Sequence, residues 1–378
     1  MSKKSSDKWK AKLTARNEQA HQSAHKITDE IINSTANSES AKANLFKNDA
    51  KYTMVFPSLL TAEQEEHLDI VMNSSLGDLS LRDSIKAIKK YEIIDDYLRV
   101  YEELTKTDIY FLKFIAGIKS VQQVHLLRQV SLYPEKLGDN ETLNLVLYRL
   151  VKFGLIQRWV FYHPVADEKV NVFTLSGNGH RFLKVIYSAD FYYHPNSYFL
   201  KGHMRDHLRF WETVDIYQSL VSLPSFRRAS TWFNGTKEKP IKGSTLQVAM
   251  DMGQNAGIYR YIFYPALQND TDKFYKQVIT QWNDFVEKGA KMDKPVNFLE
   301  GNKNILTFYT PTYKTALRYI QDLELSEFEY PILFMVGQAV QKNGLGRAFV
   351  APKRHPNKDS NKPGDWMEFA DLSAIVRN

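Results

Sequence analysis

Residues 139–156 read DNETLNLVLYRLVKFGLI and carry the clearest structural pattern of the chain. Apolar side chains recur there at the spacing of one helix face, which predicts a helix from Glu141 to Phe153. Asp139 or Asn140 is the expected N-cap, because a short polar side chain can accept a hydrogen bond from the first helical turn. Gly154 stands where helices commonly end in the left-handed conformation. We therefore expect an amphipathic helix that stops at Gly154.

The residues on both sides of this helix extend the pattern. Two further helices are predicted before it, one after the start signal Thr105 to Asp108 and one over Val121 to Leu132. After it the hydrophobic period changes from 3.6 to 2, which predicts the strands Leu155 to Tyr162 and Val170 to Leu175. The polar loop His163 to Lys169 joins the two strands as a hairpin. Three helices followed by a two-stranded ribbon are the order of a winged helix, a variant of the helix-turn-helix.

Two short motifs carry a resemblance to a known family. The run Tyr148 to Ile156 resembles the RLxxxGLI ending of winged-helix recognition helices, and Phe173 to Gly179 resembles the segment that closes the wing. Together with the later pairs His207-Leu208 and Trp211-Glu212, the arrangement is similar to the replication-relaxation family of plasmids and other mobile elements of Gram-positive bacteria. The winged-helix resemblance covers residues 105–190. It implies a DNA-binding protein with a restriction-endonuclease-like C-terminal domain.

The outer face of the third helix is the predicted DNA contact. If the apolar side chains of this helix pack inward, polar groups remain outside that suit base edges or phosphates. The predicted wing adds basic groups near its tip, where they could contact the DNA backbone or the minor groove. The predicted DNA-binding residues are Thr142, Asn144, Tyr148, Arg149, Lys152, Arg158, His163 and Lys169. The alternative is that the winged helix docks a protein, and the acidic residues Glu135, Asp139, Asp167 and Glu168 near this side favour it.

Changes in composition divide the rest of the chain. Residues 1–50 are predicted as a basic flexible arm, because they hold many polar and few aromatic side chains. Residues 51–104 are predicted as a helical region, residues 191–225 as a connecting helix and residues 226–340 as an α/β domain. Residues 341–378 are predicted as a basic C-terminal tail that is either a solvated loop or a second contact to the DNA backbone.

Composition excludes several classes of protein. The 378 residues include no cysteine, which excludes a disulfide scaffold, a cysteine-ligated metal centre and a thiol nucleophile, and indicates a reducing cytoplasm. Lys and Arg number 50 against 43 for Asp and Glu, so the formal charge is +7 and anionic partners are favoured. The basic N-terminus is not followed by an apolar run, and no apolar stretch approaches about 20 residues. We therefore expect neither a secretory signal nor a membrane span.

The predicted α/β domain offers few candidates for catalysis. A metal-dependent nuclease needs at least two carboxylates on Mg²⁺, and the candidates are Asp251 and Glu300. The strand Gly257 to Tyr264 carries aromatic residues where the resemblance implies an acid and a lysine, which favours a degenerate, non-catalytic domain. His203 and His207 have the spacing of zinc ligands, but a structural role is favoured because no third ligand is evident. No metal or other cofactor is predicted.

These patterns predict an α+β protein in which a helical N-terminal region and a winged helix-turn-helix precede an α/β domain. The expected function is cytoplasmic DNA binding for a bacterial plasmid, phage or conjugative element, in replication, in DNA transfer or in their control. The expected partner is double-stranded DNA, with single-stranded DNA and a homodimer as further expectations and no membrane partner. The alternatives are a Mg²⁺-dependent nuclease and a winged-helix protein-docking or assembly factor.

Overall fold

The fold is described from a computed structural model of the chain. The described residues are 54–55, 57, 60–66, 70–71, 91–163, 168–189, 192, 204–231, 244–287, 299–328 and 330–370. The predicted basic arm and most of the predicted helical region before Tyr91 lie outside these residues.

The described residues form an α+β structure, as predicted. Its helices are α1 (Ala62–Glu66), α2 (Ile94–Glu103), α3 (Lys106–Ile118), α4 (Gln123–Leu132), α5 (Pro134–Leu137), α6 (Asn140–Lys152), α7 (Gly177–Tyr187), α8 (Met204–Leu220), α9 (Asp272–Glu287), α10 (Tyr313–Asp322), α11 (Gly337–Asn343) and α12 (Pro363–Trp366). Its strands are β1 (Ile70–Val71), β2 (Ser120–Gln122), β3 (Ile156–Tyr162), β4 (Lys169–Leu175), β5 (Phe226–Ser230), β6 (Leu246–Asp251), β7 (Ile258–Pro265), β8 (Lys303–Thr310), β9 (Ile332–Val336), β10 (Phe349–Pro352) and β11 (Met367–Phe369).

The first sheet is antiparallel and has the strand order β1-β3-β4-β2. Its centre is the predicted hairpin, in which Ile156 pairs with Leu175 and Tyr162 pairs with Lys169. The short strand β2 was not predicted, because three residues are too few to show a period. It forms because Val121 is buried and pairs with Phe173 of β4. Helices α3, α4 and α6 share one apolar core with this sheet.

The second sheet has seven strands in the order β11-β10-β9-β8-β7-β6-β5. Strands β5, β6 and β7 form an antiparallel meander, and β7, β8 and β9 run parallel. Helices α9 and α10 provide the two crossovers that parallel neighbours require. This sheet therefore combines both pairing modes around one large core.

The sequence also predicts a strand from Val296 to Leu299, but residues 296–298 lie outside the described part, so this stays a prediction. Strand β8 after it was not predicted. Thr310 followed by Pro311 predicts a helix start, whereas the N-cap of α10 is Thr312. The predicted tail is not a separate solvated region, since residues 349–369 supply β10 and β11 to the sheet. Buried apolar side chains such as Val350 and Met367 hold these strands against the core.

Helix α8 lies between the two sheets and contributes to every apolar core. Trp211 packs in a cluster with Trp159 and Phe161 on the outer face of β3. Val214 belongs to the core of the first sheet, and Ile216 belongs to the core of the second. The predicted connecting helix is therefore a central element of the fold. Within the described residues, no helix has the length and apolarity that crossing a membrane requires.

Candidate nucleic-acid interface

Helix α6 has the boundaries and caps that its sequence predicted. Asp139 is the N-cap, and its Oδ1 accepts hydrogen bonds from the backbone N of Thr142 at 2.8 Å and from Thr142 Oγ1 at 2.7 Å. The hydrogen bonds from Thr142 lower the pKa of the Asp139 carboxyl. At the other end Gly154 has a φ of +65°, in the left-handed region that favours glycine. Thr142 therefore fixes the start of the helix as well as lying near its outer face.

The two faces of α6 differ sharply. Its inward side chains are fully or nearly fully buried: Leu143, Val146, Leu147, Leu150 and Val151. On the outer face, Asn144 and Lys152 are exposed, Leu145 is 59% exposed and Tyr148 is 37% exposed. The helix period also places Leu145 on the outer face, although it is not among the predicted DNA-binding residues. Its exposure adds an apolar group to the candidate surface.

Arg149 has a different role from the one predicted. Its Nε lies 3.1 Å from both carboxylate oxygens of Asp108, and its Nη2 lies 3.0 Å from Asp108 Oδ1. Asp108 has no exposed surface, whereas the Arg149 side chain is 31% exposed. A fork-shaped guanidinium on a buried carboxylate is a strong, geometrically specific pair. Arg149 therefore ties α6 to α3, and reading a base with it would require breaking this pair.

Asp108 is buried because it also closes the first turn of α3. Its Oδ2 accepts hydrogen bonds from the backbone N and the Oγ1 of Thr105, both at 2.7 Å, and Thr105 Oγ1 accepts one from the backbone N of Asp108. This reciprocal arrangement is a capping box. The Asp108 carboxylate thus caps the start of α3, which the sequence predicted, and pairs with Arg149, which the sequence did not predict.

Arg158 lies within the hairpin and is part of a hydrogen-bond chain. Its Nε and Nη2 donate to Asn171 Oδ1 at 3.0 and 2.7 Å, and Asn171 Nδ2 donates to Gln123 Oε1 at 2.6 Å. Arg158 pairs with Phe173 in the register of β3 and β4, well before the hairpin tip. Arg158 was predicted at or near the tip of the hairpin, and β3 continues for four residues beyond it.

His163 does not face a ligand. It is 4% exposed, and its Nε2 lies 3.1 Å from the carbonyl oxygen of Met54. Burial lowers the pKa of His163, which opposes a positive charge at this position. Burial does not favour the predicted DNA contact of His163, which stays a prediction. Lys169, at the start of β4, is exposed as expected.

A segment before the helices explains why one side of the hairpin is closed. Val55 and Leu60 pack with Trp159 and Phe161 against the hairpin face opposite the helices. The side chain of Gln122 exchanges two hydrogen bonds of 2.9 Å with the backbone of Val55. Within the described residues, this face of the hairpin is therefore covered by protein.

The described residues that were considered as metal ligands do not form a cluster, and Asp251 and His207 already contact other groups of the protein. Asp251 pairs with Arg227 and accepts a 2.9 Å hydrogen bond from the backbone N of Gly253, and the Arg227 contact lowers its pKa. Glu300 is exposed just before β8. His207 is buried and lies 2.8 Å from Ser120 Oγ, so its role is structural, while His203 lies outside the described residues. No group of three or more potential metal ligands occurs among the residues with a described placement.

The charge of the candidate surface is modest. Lys152 and Lys169 are exposed and positive, and Glu141 and Glu168 are exposed and negative. Asp108 neutralises Arg149. Binding of a polyanion here would therefore depend on a few positioned groups and on the shape of α6.

Comparison with known proteins gives no match among family models, curated proteins or solved structures.

Proposed function

We propose that the chain binds double-stranded DNA by placing the outer face of α6 in the major groove. The observation that carries this proposal is the exposed outer face of α6, a helix whose inward face packs in the core of the first sheet unit. Asn144, Leu145, Tyr148 and Lys152 are exposed there, while the inward face is fully packed. A packed helix with one open polar and aromatic face is the form in which helix-turn-helix proteins present a recognition helix.

The order and pairing of elements support a winged helix. The chain runs α3, β2, α4, then the short α5, then α6, β3 and β4, and β2 pairs with β4. This brings the strand after the first helix into the same sheet as the hairpin. The hairpin is the wing, and α6 is the recognition helix.

Each exposed group of α6 has a suitable role on DNA. Asn144 can pair with an adenine edge, Leu145 can contact a thymine methyl group, and Lys152 can bind a phosphate. Lys169 at the wing adds a second phosphate contact. Arg149 is now a positioning residue that orients α6 through Asp108.

The proposed setting is a bacterial plasmid, phage or conjugative element, where the protein acts in replication, DNA transfer or their control. This follows the resemblance to the replication-relaxation family. The meander β5-β6-β7, the crossover α9 and the parallel strand β8 support the restriction-endonuclease-like part of that resemblance. Strand β7 contains no carboxylate, and Asp251 is engaged by Arg227, so we propose that this domain does not cut DNA.

A salt titration of binding to labelled duplex DNA tests the proposal. The full chain should bind random duplex more tightly at low salt, and Asn144→Ala with Lys152→Ala should weaken binding about 10-fold or more. Losing Lys152 should reduce the slope of log K against log salt by about 1. The control is Lys276→Ala with Lys314→Ala, which removes two exposed lysines from helices α9 and α10. Equal losses in both double variants would reduce the interaction to general charge attraction.

The same samples test the nuclease and single-strand alternatives. With Mg²⁺ present, the DNA should remain intact on a gel, and cutting that disappears in Asp251→Ala would establish a nuclease instead. Tighter binding to single strands than to duplex would move the contact away from a major-groove helix.

The second candidate function is protein docking through the same helix. The exposed apolar side chains Leu145 and Tyr148 favour it, because large apolar groups on an open helix face commonly mark protein contacts. Absence of binding to any DNA at low salt would decide for this function.

A further inference from the structure

We infer that a second copy of the chain binds to a surface formed by α2 and α7, so that the protein is a two-fold symmetric dimer. This α2–α7 surface consists of Ile94, Asp95, Leu98, Tyr101 and Glu102 on α2 and Arg181, Lys184 and Tyr187 on α7. It contains no residue of α6, so the inference does not rest on the proposed DNA contact.

The centre of the α2–α7 surface is an apolar stripe. Ile94, Leu98 and Tyr101 are 65%, 46% and 44% exposed, and their spacing of four and three places them on one side of α2. Tyr97 of the same helix is buried in the core. Seven large apolar side chains are exposed among the described residues, and four of these lie at the start of α2 or within it. Such concentration on one helix marks an interaction surface rather than scattered exposure.

Helix α7 continues this surface. The rings of Tyr101 and Tyr187 meet edge to face with centroids 6.2 Å apart. Lys113 Nζ of α3 lies 3.7 Å from the centroid of the Tyr187 ring, at the C-terminal end of α7. The contact between the two tyrosines fixes which side of α7 adjoins the apolar stripe. Both helices therefore present one continuous surface.

Opposite charges lie on the two sides of the stripe. At 100° per residue, Glu102 and Asp95 follow Leu98 on the side of α2 away from Tyr101. On α7 the exposed bases Lys184 and Arg181 follow Tyr187 in the direction away from α2. The order across the surface is thus basic, apolar, acidic.

This order identifies the partner as a second copy. In a two-fold symmetric contact the same patch meets itself, so it must be self-complementary. When the two-fold axis runs along the length of the apolar stripe, rotation by 180° places the acidic side of one copy on the basic side of the other. The apolar stripes of the two copies meet at the same time. A dimer therefore satisfies both the charges and the exposed apolar area.

Sedimentation or light scattering of the full chain tests the dimer. Wild-type protein should be dimeric at about 100 µM or below, the micromolar range of a modest interface. Leu98→Asp should raise the dissociation constant at least about 10-fold, because it places a charge in the apolar centre. Since Leu98 is half exposed, circular dichroism should show the same helix content, and the thermal midpoint should be unchanged at a protein concentration where both proteins are monomeric.

Charge reversal gives a test that does not depend on one variant. Asp95→Lys with Glu102→Lys, and Arg181→Glu with Lys184→Glu, should each weaken the homodimer by about 10-fold or more, since like charges then face each other. A mixture of the two double variants should form a heterodimer of near wild-type strength. A monomeric wild-type protein, or a mixture that stays as weak as its components, would overturn the inference.

Discussion

The two sheets of the molecule differ in how they use their polar side chains. In the first sheet unit, α6 keeps Asn144 and Lys152 in solvent on an open face. In the second sheet, Arg260 is fully buried, with Nε donating to Asn304 Oδ1 at 2.6 Å and Nη1 donating to the carbonyl oxygen of Gly301. A buried polar group must be satisfied internally, and once satisfied it has little left to offer a ligand. The first unit therefore keeps polar groups on its surface, whereas Arg260 of the second is satisfied within the protein.

The same difference occurs within α6 itself. Arg149 and Lys152 are three residues apart and equally basic in the sequence, yet only Arg149 meets a buried carboxylate. A basic side chain on the outer face of a helix is therefore no guide to ligand contact until its neighbours are known. Stability measurements can separate the two roles directly.

Replacement of Arg149 should produce the largest loss of stability. Arg149→Ala leaves the Asp108 carboxylate buried without its partner, and the free energy of unfolding should fall by about 3 kcal/mol. Lys152→Ala removes an exposed charge, so its effect should stay within about 0.5 kcal/mol. Urea unfolding of both variants measures the difference.

The variant Arg149→Ala with Asp108→Asn controls for the stranded charge. Removing both charges should restore part of the stability lost in Arg149→Ala, because the remaining amide is cheaper to bury than a carboxylate. If Arg149→Ala is as stable as wild type, the pair does not hold α6, and Arg149 returns to the list of candidate base contacts.

Two glycines at the start of α7 provide a second comparison. A Cβ on Gly179 would lie 2.0 Å from the carbonyl oxygen of Leu155, whereas a Cβ on Gly177 would have no neighbour within 4 Å. Gly179→Ala forces α7 away from the end of α6 and should cost about 1–3 kcal/mol. Gly177→Ala should be neutral or slightly stabilising.

Thermal and urea unfolding of the two alanine variants test this prediction. Equal stability of both would mean that α7 can shift at no cost. In that case the presence of glycine at position 179 would need an explanation other than close packing. A loss of stability in Gly179→Ala alone would show that close packing fixes the start of α7 against the end of α6.

The sequence predicted those features that neighbouring residues determine. The cap at Asp139, the left-handed Gly154 and the hairpin of β3 and β4 depend on short stretches, and the structure has all three. Strand β8 was missed although Ile305, Leu306 and Phe308 are apolar and buried in it. The run of β-branched and aromatic residues within 303–310 is the signal that predicts this strand.

The site was predicted less well, because its decisive contacts are distant in sequence. Arg149 and Asp108 are 41 positions apart, and His163 and Met54 are 109 apart. Neither pair leaves a periodic or motif signal in a single sequence. Exposure of Asn144 and Lys152, by contrast, follows from the helix period alone and was predicted.

The contact between helix α4 of the first sheet unit and helix α8 should make the stability of the protein depend on pH. His125 of α4 is fully buried, and its Nε2 lies 3.5 Å from Asp215 of α8, which also pairs with Arg128 at 2.6 Å. Burial lowers the pKa of His125 despite the nearby carboxylate. Burial alone would raise the pKa of Asp215, but His125 and Arg128 hold it below its ordinary value.

The smallest predicted effect is acid destabilisation through His125. Because its pKa is lower in the folded state, the unfolded chain binds the proton more readily, and stability falls as pH drops below about 6.5. As pH falls below about 6.5 this histidine alone should lower the free energy of unfolding, whereas Asp215 contributes only at more acidic pH. His125→Asn keeps an acceptor near the 3.4 Å contact with the backbone N of Gln122 and should reduce this pH dependence. The matched variant His355→Asn, at an exposed position, should leave it unchanged. Urea unfolding of wild type and variant at several pH values tests this prediction. If the free energy of unfolding of His125→Asn depends on pH as steeply as that of wild type, the contact between α4 and α8 takes up a proton without loss of stability.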